Sequence, residues 1–242
     1  MKNRIDISKN TFIQKPIETK VFLKKYGEIY IELGLTAREN DPKVIQDLVL
    51  KFMIDHNIPT EKQEMTGEDE NNQLSFLLIK PEAEGLEQKA KEFLEGQGLE
   101  IIDVVETRYT LERFLGVYGP DILKYSEIAK ILHPLLMANL SKSVSVILFK
   151  VPKDRTVKSI KSDVVGTGKV SNGQTLRGYL KDEITKSKTH NLEHLKSQID
   201  PEGKITDLDR TFNGVHSPSS LKSAHYQLSL FFDKNQFESY RF

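Results

Sequence analysis

Leu74-Ser-Phe-Leu-Leu-Ile-Lys-Pro-Glu82 is the stretch that decides the fold. Its first six residues are almost continuously apolar, which suits a central strand covered on both faces rather than one with a wet side. Lys80 and Pro81 end the strand, and Leu86, Ala90, Phe93 and Leu94 then recur on one helical face. Gly96 and Gly98 offer a helix stop before the strand-like run Leu99–Val105. The spacing therefore predicts strand, helix, strand from Leu74 onward.

Leu111–Leu140 reads as helical, with interruptions expected near Gly119-Pro120 and His133-Pro134, because proline lacks the donor and clashes with the preceding turn. Val144–Phe149 is a third buried strand, followed by a short helix over about Thr156–Asp163 and a glycine-rich loop, Gly166–Gly173. Residues 181–210 are polar and charged, with only Leu192, Leu195 and Ile199 to seat a short helix, and read as an insertion. Pro218 looks like a helix start, since Leu221, Ala224, Leu228 and Phe231 follow on one face.

Upstream of Leu74 the chain offers less. Glu28–Leu35 alternates polar and apolar residues as a half-buried strand does. Asp41 and Pro42 form a cap and first-turn pair for a helix carrying Val44, Ile45, Leu48, Phe52 and Met53, until Pro59 ends the pattern. Glu61–Gln73 is polar and mostly acidic, a linker or exposed loop. The expected organisation is a small strand-helix extension with its linker over residues 1–73 and a main domain over 74–242, carrying the insertion at about 181–210.

Among 242 residues, 35 lysines and arginines balance 35 aspartates and glutamates, so no global field draws the chain to nucleic acid or an anionic membrane. The absence of cysteine excludes disulfides, thiolate metal sites and cysteine nucleophiles. No apolar run reaches the roughly 20 residues that span a bilayer, and Met1–Lys15 lacks the apolar stretch of a signal peptide. A cytoplasmic protein without membrane or nucleic-acid partners is expected.

Of the six histidines, His56 closes a helix, His133 precedes a proline, His190 and His194 sit in the charged insertion, and His225 lies on the last helix. His216 stands apart: it precedes the final helix and has Asn213 three residues before it. Lys80 lies at the C-terminal end of a buried strand, where layered α/β proteins commonly bind ligands, and Arg177 follows the glycine-rich loop. Two cations beside an imidazole suit phosphoryl transfer, in which charge accumulates on the phosphoryl oxygens and positioning does most of the work. A neutral imidazole is a competent nucleophile near pH 7, and a covalent intermediate splits one transfer into two.

The ordered set Leu78-Ile-Lys80-Pro-Glu82, Thr175-Leu-Arg177-Gly178, Asn213-Gly-Val-His216 and Ser223-Ala224 resembles the nucleoside diphosphate kinases, over about Leu74–Phe232. The resemblance implies an α+β fold with a ferredoxin-like βαββαβ core and an antiparallel sheet. It also implies ping-pong transfer from ATP or another nucleoside triphosphate to a nucleoside diphosphate through a phosphohistidine, with Mg2+ bridging the phosphates rather than held directly by side chains. Family members are usually homo-oligomers. By this resemblance His216 would accept the phosphoryl group, Asn213 would bind the sugar and orient the site, and Lys80 and Arg177 would hold phosphate oxygens.

Several positions depart from the pattern. The family's second phosphate-binding arginine falls at Ser162, with Lys158, Lys161 and Lys169 as candidate replacements, although lysine does not reproduce a bidentate fork. The threonine of the same loop falls at Gly168 or Thr167. Ser217-Pro218-Ser219 replaces the usual Gly-Ser-Asp, leaving Ser219 as a supporting candidate, and the supporting glutamate of the last helix falls at Gln227. An amide still accepts a hydrogen bond but does not stabilise a developing positive charge as a carboxylate does. Tyr118, Tyr125, Leu135 and Leu136 are candidates for a base site, and the resemblance leaves the first 70 or so residues without a role.

Overall fold

The computed structural model describes residues 41–61, 74–140, 142–167, 174–186, 213–232 and 240. The expected strand at 28–35, the linker from residue 62, the glycine-rich loop beyond Thr167 with Lys169, and the insertion beyond residue 186 lie outside the described residues.

The apolar run that opens the main domain is β1, Leu74–Ile79, and all six of its residues are buried. It pairs antiparallel with β3, Ser143–Lys150, in a register running from Leu74 opposite Lys150 to Ile79 opposite Ser145. On its other side lies the short β4, Val215–His216, with Leu78 opposite His216. β2, Glu100–Arg108, borders β3 with a register irregularity between Ile101 and Asp103. Among the described residues the strand order is β2-β3-β1-β4, antiparallel throughout, which is the ferredoxin-like arrangement expected. A strand with neighbours on both sides and layers above and below has no wet face, which is why β1 reads as unbroken hydrophobicity. β2, whose one neighbour in the sheet among the described residues is β3, stays partly exposed along its length.

The described residues fall into two compact units. The sheet unit also holds α2, Glu87–Gly96, which ends in a Schellman turn: Gly98 adopts φ of 78°, its N–H donates to Glu95 and that of Leu99 to Leu94, at 2.9 and 3.1 Å. The other unit contains α1, Pro42–Asp55, together with α3, Leu111–Lys124, α4, Ser126–Lys130, and α5, Leu132–Asn139. Asp41 caps α1 by accepting the Lys43 N–H at 2.8 Å. The buried face of α1 is Ile45, Val49, Phe52 and Met53, whereas Val44 is exposed. Gln46 donates to the Ile122 and Leu123 carbonyls, both at 3.0 Å, which serves two acceptors that the end of α3 leaves without helical partners.

Pro120 does not interrupt α3 as the sequence suggested. The residue before a proline is normally pushed out of helical geometry partly by its own Cβ, and Gly119 has none. That same bare face receives Met53: a Cβ on Gly119 would sit 2.5 Å from its Sδ and Cε. The helical stretch breaks instead at Tyr125 and Ile131, and Pro134 falls in the first turn of α5, where no helical N–H is needed.

Back in the sheet unit, α6, Val157–Ser159, starts where expected: Thr156 is its cap, and the hydroxyls of Thr156 and Ser159 form a reciprocal capping box. After the single α turn Val157–Ser159 the chain widens into a π turn over Ile160–Val165. α7, Leu176–Lys186, and α8, Leu221–Phe231, complete the described helices. Pro218 is not the start of α8. Ser220 is the cap, accepting the Ser223 N–H at 3.1 Å, because a hydroxyl satisfies an orphan donor that proline at that place would leave bare. Phe231 of α8 meets Phe76 and Tyr109 with ring centres 6.1 and 6.2 Å apart. No helix of the described residues is long and apolar enough to cross a membrane.

Candidate active site

The end of β1 delivers Lys80, and Pro81–Ala83 turns at once into a single 3-10 turn closed by the Ala83 N–H on the Lys80 carbonyl at 2.8 Å. The turn folds Glu82 back beside Lys80, with its carboxylate 3.6 Å from the ammonium, and both side chains are buried. Lys80 also donates from Nζ to the Asn213 side-chain oxygen at 3.2 Å and from its backbone N–H to the Gly214 carbonyl at 2.9 Å. Burial pushes the Lys80 ammonium below its ordinary pKa; Glu82 pulls it back up and Arg177 pushes it further down.

Asn213-Gly-Val-His216 is held as a rigid strap against that strand end. The Gly214 N–H reaches the Glu82 carboxylate at 3.1 Å and the Val215 N–H the Asn213 side chain at 3.4 Å. Gly214 has φ of 77°, a conformation that favours glycine, and a Cβ there would stand 2.9 Å from Ile184 and 3.2 Å from Ala83. The strap then pairs with β1, which sets His216 against Leu78 and brings its ring centre 6.3 Å from that of Phe76.

Arg177, on the first turn of α7, is buried, and its guanidinium donates to the carbonyls of Gly166 and, at 3.4 Å, Val215. A planar fork that reaches two carbonyls ties the strap to the end of the π turn. Gly166 has φ of 88° and packs against Thr175 so tightly that a Cβ would lie 2.7 Å from the threonine hydroxyl.

His216 Nε2 lies 3.0 Å from the Gln227 side-chain oxygen. An amide oxygen only accepts, so Nε2 carries the hydrogen and the in-plane lone pair is on Nδ1. Burial lowers the His216 pKa well below its ordinary 6.5; the positive charge of Lys161 adds to this, the Gln227 hydrogen bond opposes it, and Lys80 and Arg177 depress it further. The ring is therefore neutral at pH 7 and somewhat below, in the tautomer that a nucleophile at Nδ1 requires.

The structure thus brings Lys80, Asn213, Arg177, His216 and Gln227 into one cluster. Ser162 is exposed and turned to its own helix, donating to the Ser159 carbonyl at 3.1 Å and to Asp163. The neighbouring Lys161 is the lysine whose charge bears on His216. Thr167 is exposed, one residue past the carbonyl that Arg177 holds, and Ser219 is half-buried just ahead of the α8 cap. Glu82 was not singled out from sequence, although it stands in the quoted Lys-Pro-Glu; a proline turn that doubles a carboxylate back on a buried lysine is the signal that would have found it. Among the described residues no three imidazole, thiol or carboxylate groups gather in a way that could hold a metal.

No family model matches the chain, and no curated protein matches its sequence. Solved structures do. A nucleoside diphosphate kinase family protein from Babesia bovis is similar at 18% identity, with 68% of this chain and 90% of that one covered and a TM-score of 0.46. The nucleoside diphosphate kinase of Aquifex aeolicus is similar at 16% identity over 68% of this chain and 97% of that one, with a TM-score of 0.45. That of Encephalitozoon cuniculi gives 16%, 68%, 91% and 0.44 in the same order.

Proposed function

We propose that the chain is a divergent nucleoside-diphosphate-kinase-like phosphotransferase that carries the phosphoryl group on His216. The observation that carries this reading is the imidazole itself: held at Nε2 by Gln227 and kept neutral by burial and three cations. In the first half-reaction Nδ1 attacks the γ-phosphorus of a nucleoside triphosphate. The N–P bond forms as the bond to the bridging oxygen breaks, and the nucleoside diphosphate leaves with that electron pair. The second half-reaction runs the same step backward onto an acceptor diphosphate.

Lys80 is the cation nearest the strap, 3.2 Å from Asn213, and it would meet phosphate oxygens by exchanging one of its present partners. Arg177 contributes its fixed charge and holds the strap through the Val215 carbonyl, while Lys161 would supply the positive charge that Ser162 does not. Asn213 would meet the sugar, Thr167 would bind the nucleotide phosphates and Ser219 would support the site. Magnesium would arrive on the nucleotide phosphates, as suits a small hard cation that takes oxygen ligands and keeps several of its waters.

Incubation with γ-labelled ATP and magnesium tests the reading. The expected result is acid-labile, base-stable label on the protein that is abolished in His216→Ala. Unlabelled protein that still binds nucleotide would sink the enzyme and leave a nucleotide-binding regulatory or scaffolding module, for which the amide of Gln227 in place of a carboxylate speaks.

A further inference from the structure

Two acceptor atoms near the end of β1 each do a double duty. The Asn213 side-chain oxygen takes the Lys80 ammonium at 3.2 Å and the Val215 N–H at 3.4 Å. One carboxylate oxygen of Glu82 takes the Gly214 N–H at 3.1 Å and faces the same ammonium at 3.6 Å. The strap that presents His216 is thus fastened at consecutive backbone donors, and Lys80 sits between both fasteners. For Asn213 an uncharged oxygen suffices. Glu82 is charged and buried, which is costly unless the charge is used.

We infer that Glu82 is a positioning residue of the site, one that fixes the Gly214 turn and keeps the buried Lys80 in its ammonium form for phosphate. The inference rests on the phosphotransfer reading of His216 and adds to it a residue that contacts no substrate. The logic is electrostatic. Burial drives Lys80 toward its neutral amine, and Arg177 drives it the same way; Glu82 is the neighbouring anion that opposes both. Lys80 also lines an open cavity of about 420 Å³ with Glu84, Glu87 and Glu106. Of these, Glu87 is engaged by Ser145 and by the Gly85 N–H, each at 3.2 Å, and Glu106 by Ser143. Asn213 is neutral and the His216 ring is uncharged near neutrality, so neither can replace the carboxylate.

Glu82→Gln separates the two duties, because the amide oxygen can still accept the Gly214 N–H while the charge is gone. Glu82→Ala removes both, and Glu82→Asp restores the charge. The three variants and the wild-type chain are compared by the initial rate of His216 labelling from about pH 6 to about pH 10, alongside the titration of the Lys80 side chain by carbon and nitrogen NMR. In Glu82→Gln the alkaline limb of the rate and the Lys80 titration both move to lower pH, and by the same interval. Glu82→Ala is slower at every pH as well, and Glu82→Asp returns the alkaline limb toward wild type. A Glu82→Gln chain whose profile is merely scaled down, with the Lys80 titration unmoved, overturns the inference. If the wild-type chain takes no label, the phosphotransfer reading fails by itself, and the Lys80 titration still decides what Glu82 does.

Discussion

His216 is served by two segments that work in different ways. The strap 213–216 is fixed by contact: its backbone donors and carbonyls are taken up by Glu82, Asn213, Lys80 and Arg177, and its last two residues pair with β1. The segment 156–166 is tied to the strap through the Gly166 carbonyl, which Arg177 holds, and bears on the imidazole through the charge of Lys161. Geometry held by short hydrogen-bonded contacts tolerates almost no change of shape, whereas charge acting over a longer path tolerates shape changes and is sensitive to salt.

The strongest break in this contrast is Gly214→Ala. The substitution forces a left-handed backbone on an L side chain and drives a Cβ to 3.2 Å from Ala83, which is a backbone-fixed atom, besides 2.9 Å from the end of Ile184. The expected loss is about 2–4 kcal/mol of stability by urea unfolding, with labelling of any folded fraction reduced because the turn that delivers His216 is displaced. A loss under about 0.5 kcal/mol would mean that the strap is not the rigid half of the site.

Gln227→Glu tests the junction of the two influences. A carboxylate at hydrogen-bonding distance favours the imidazolium, so the His216 titration rises toward or past its ordinary value. In the native chain the folded ring takes up its proton only well below pH 6.5, while the unfolded ring takes it near 6.5. The unfolded state therefore binds more protons in that window, and stability falls as pH drops through it. The variant shrinks that acid loss. It also moves the acidic limb of labelling to higher pH, by the same interval as the titration of the ring itself. Unfolding curves at two pH values and the NMR titration of the ring check both; an unmoved titration would mean the Nε2 bond to residue 227 does not form.

What the sequence made legible was the half of the site held by contact. β1 announces itself because burial on both faces leaves no polar alternation, and Lys80, Arg177, Asn213 and His216 occur in an order that few other arrangements share. The helix breaks were less readable. Pro120 passes through α3 because Gly119 removes the clash, and α8 starts at Ser220 because a hydroxyl caps better than Pro218 does; both depend on neighbours rather than on the proline. Least legible was the charge-acting segment. The resemblance puts the second cation at Ser162, whereas the side chain whose charge bears on the histidine stands one position earlier in the π turn, at Lys161.

That shift of one residue supplies the smallest prediction and the sharpest test of action at a distance. Lys161→Met keeps the length and apolar stem of the side chain and removes only its charge. The His216 titration should move up toward its ordinary value, by less than in Gln227→Glu because no new charge is placed beside the ring. Ser162→Ala, at the position the resemblance singles out, should leave the titration where it was and stability within about 0.5 kcal/mol, since its exposed hydroxyl serves Ser159 and Asp163 of its own turn. The two variants are compared at low salt and at about 1 M salt, where the screening length falls to roughly 3 Å. The difference between Lys161→Met and wild type should then shrink, because Lys161 is partly exposed and its influence runs partly through solvent. A difference that persists undiminished at high salt would mean that Lys161 touches the imidazole, and that the two segments serve His216 in the same way after all.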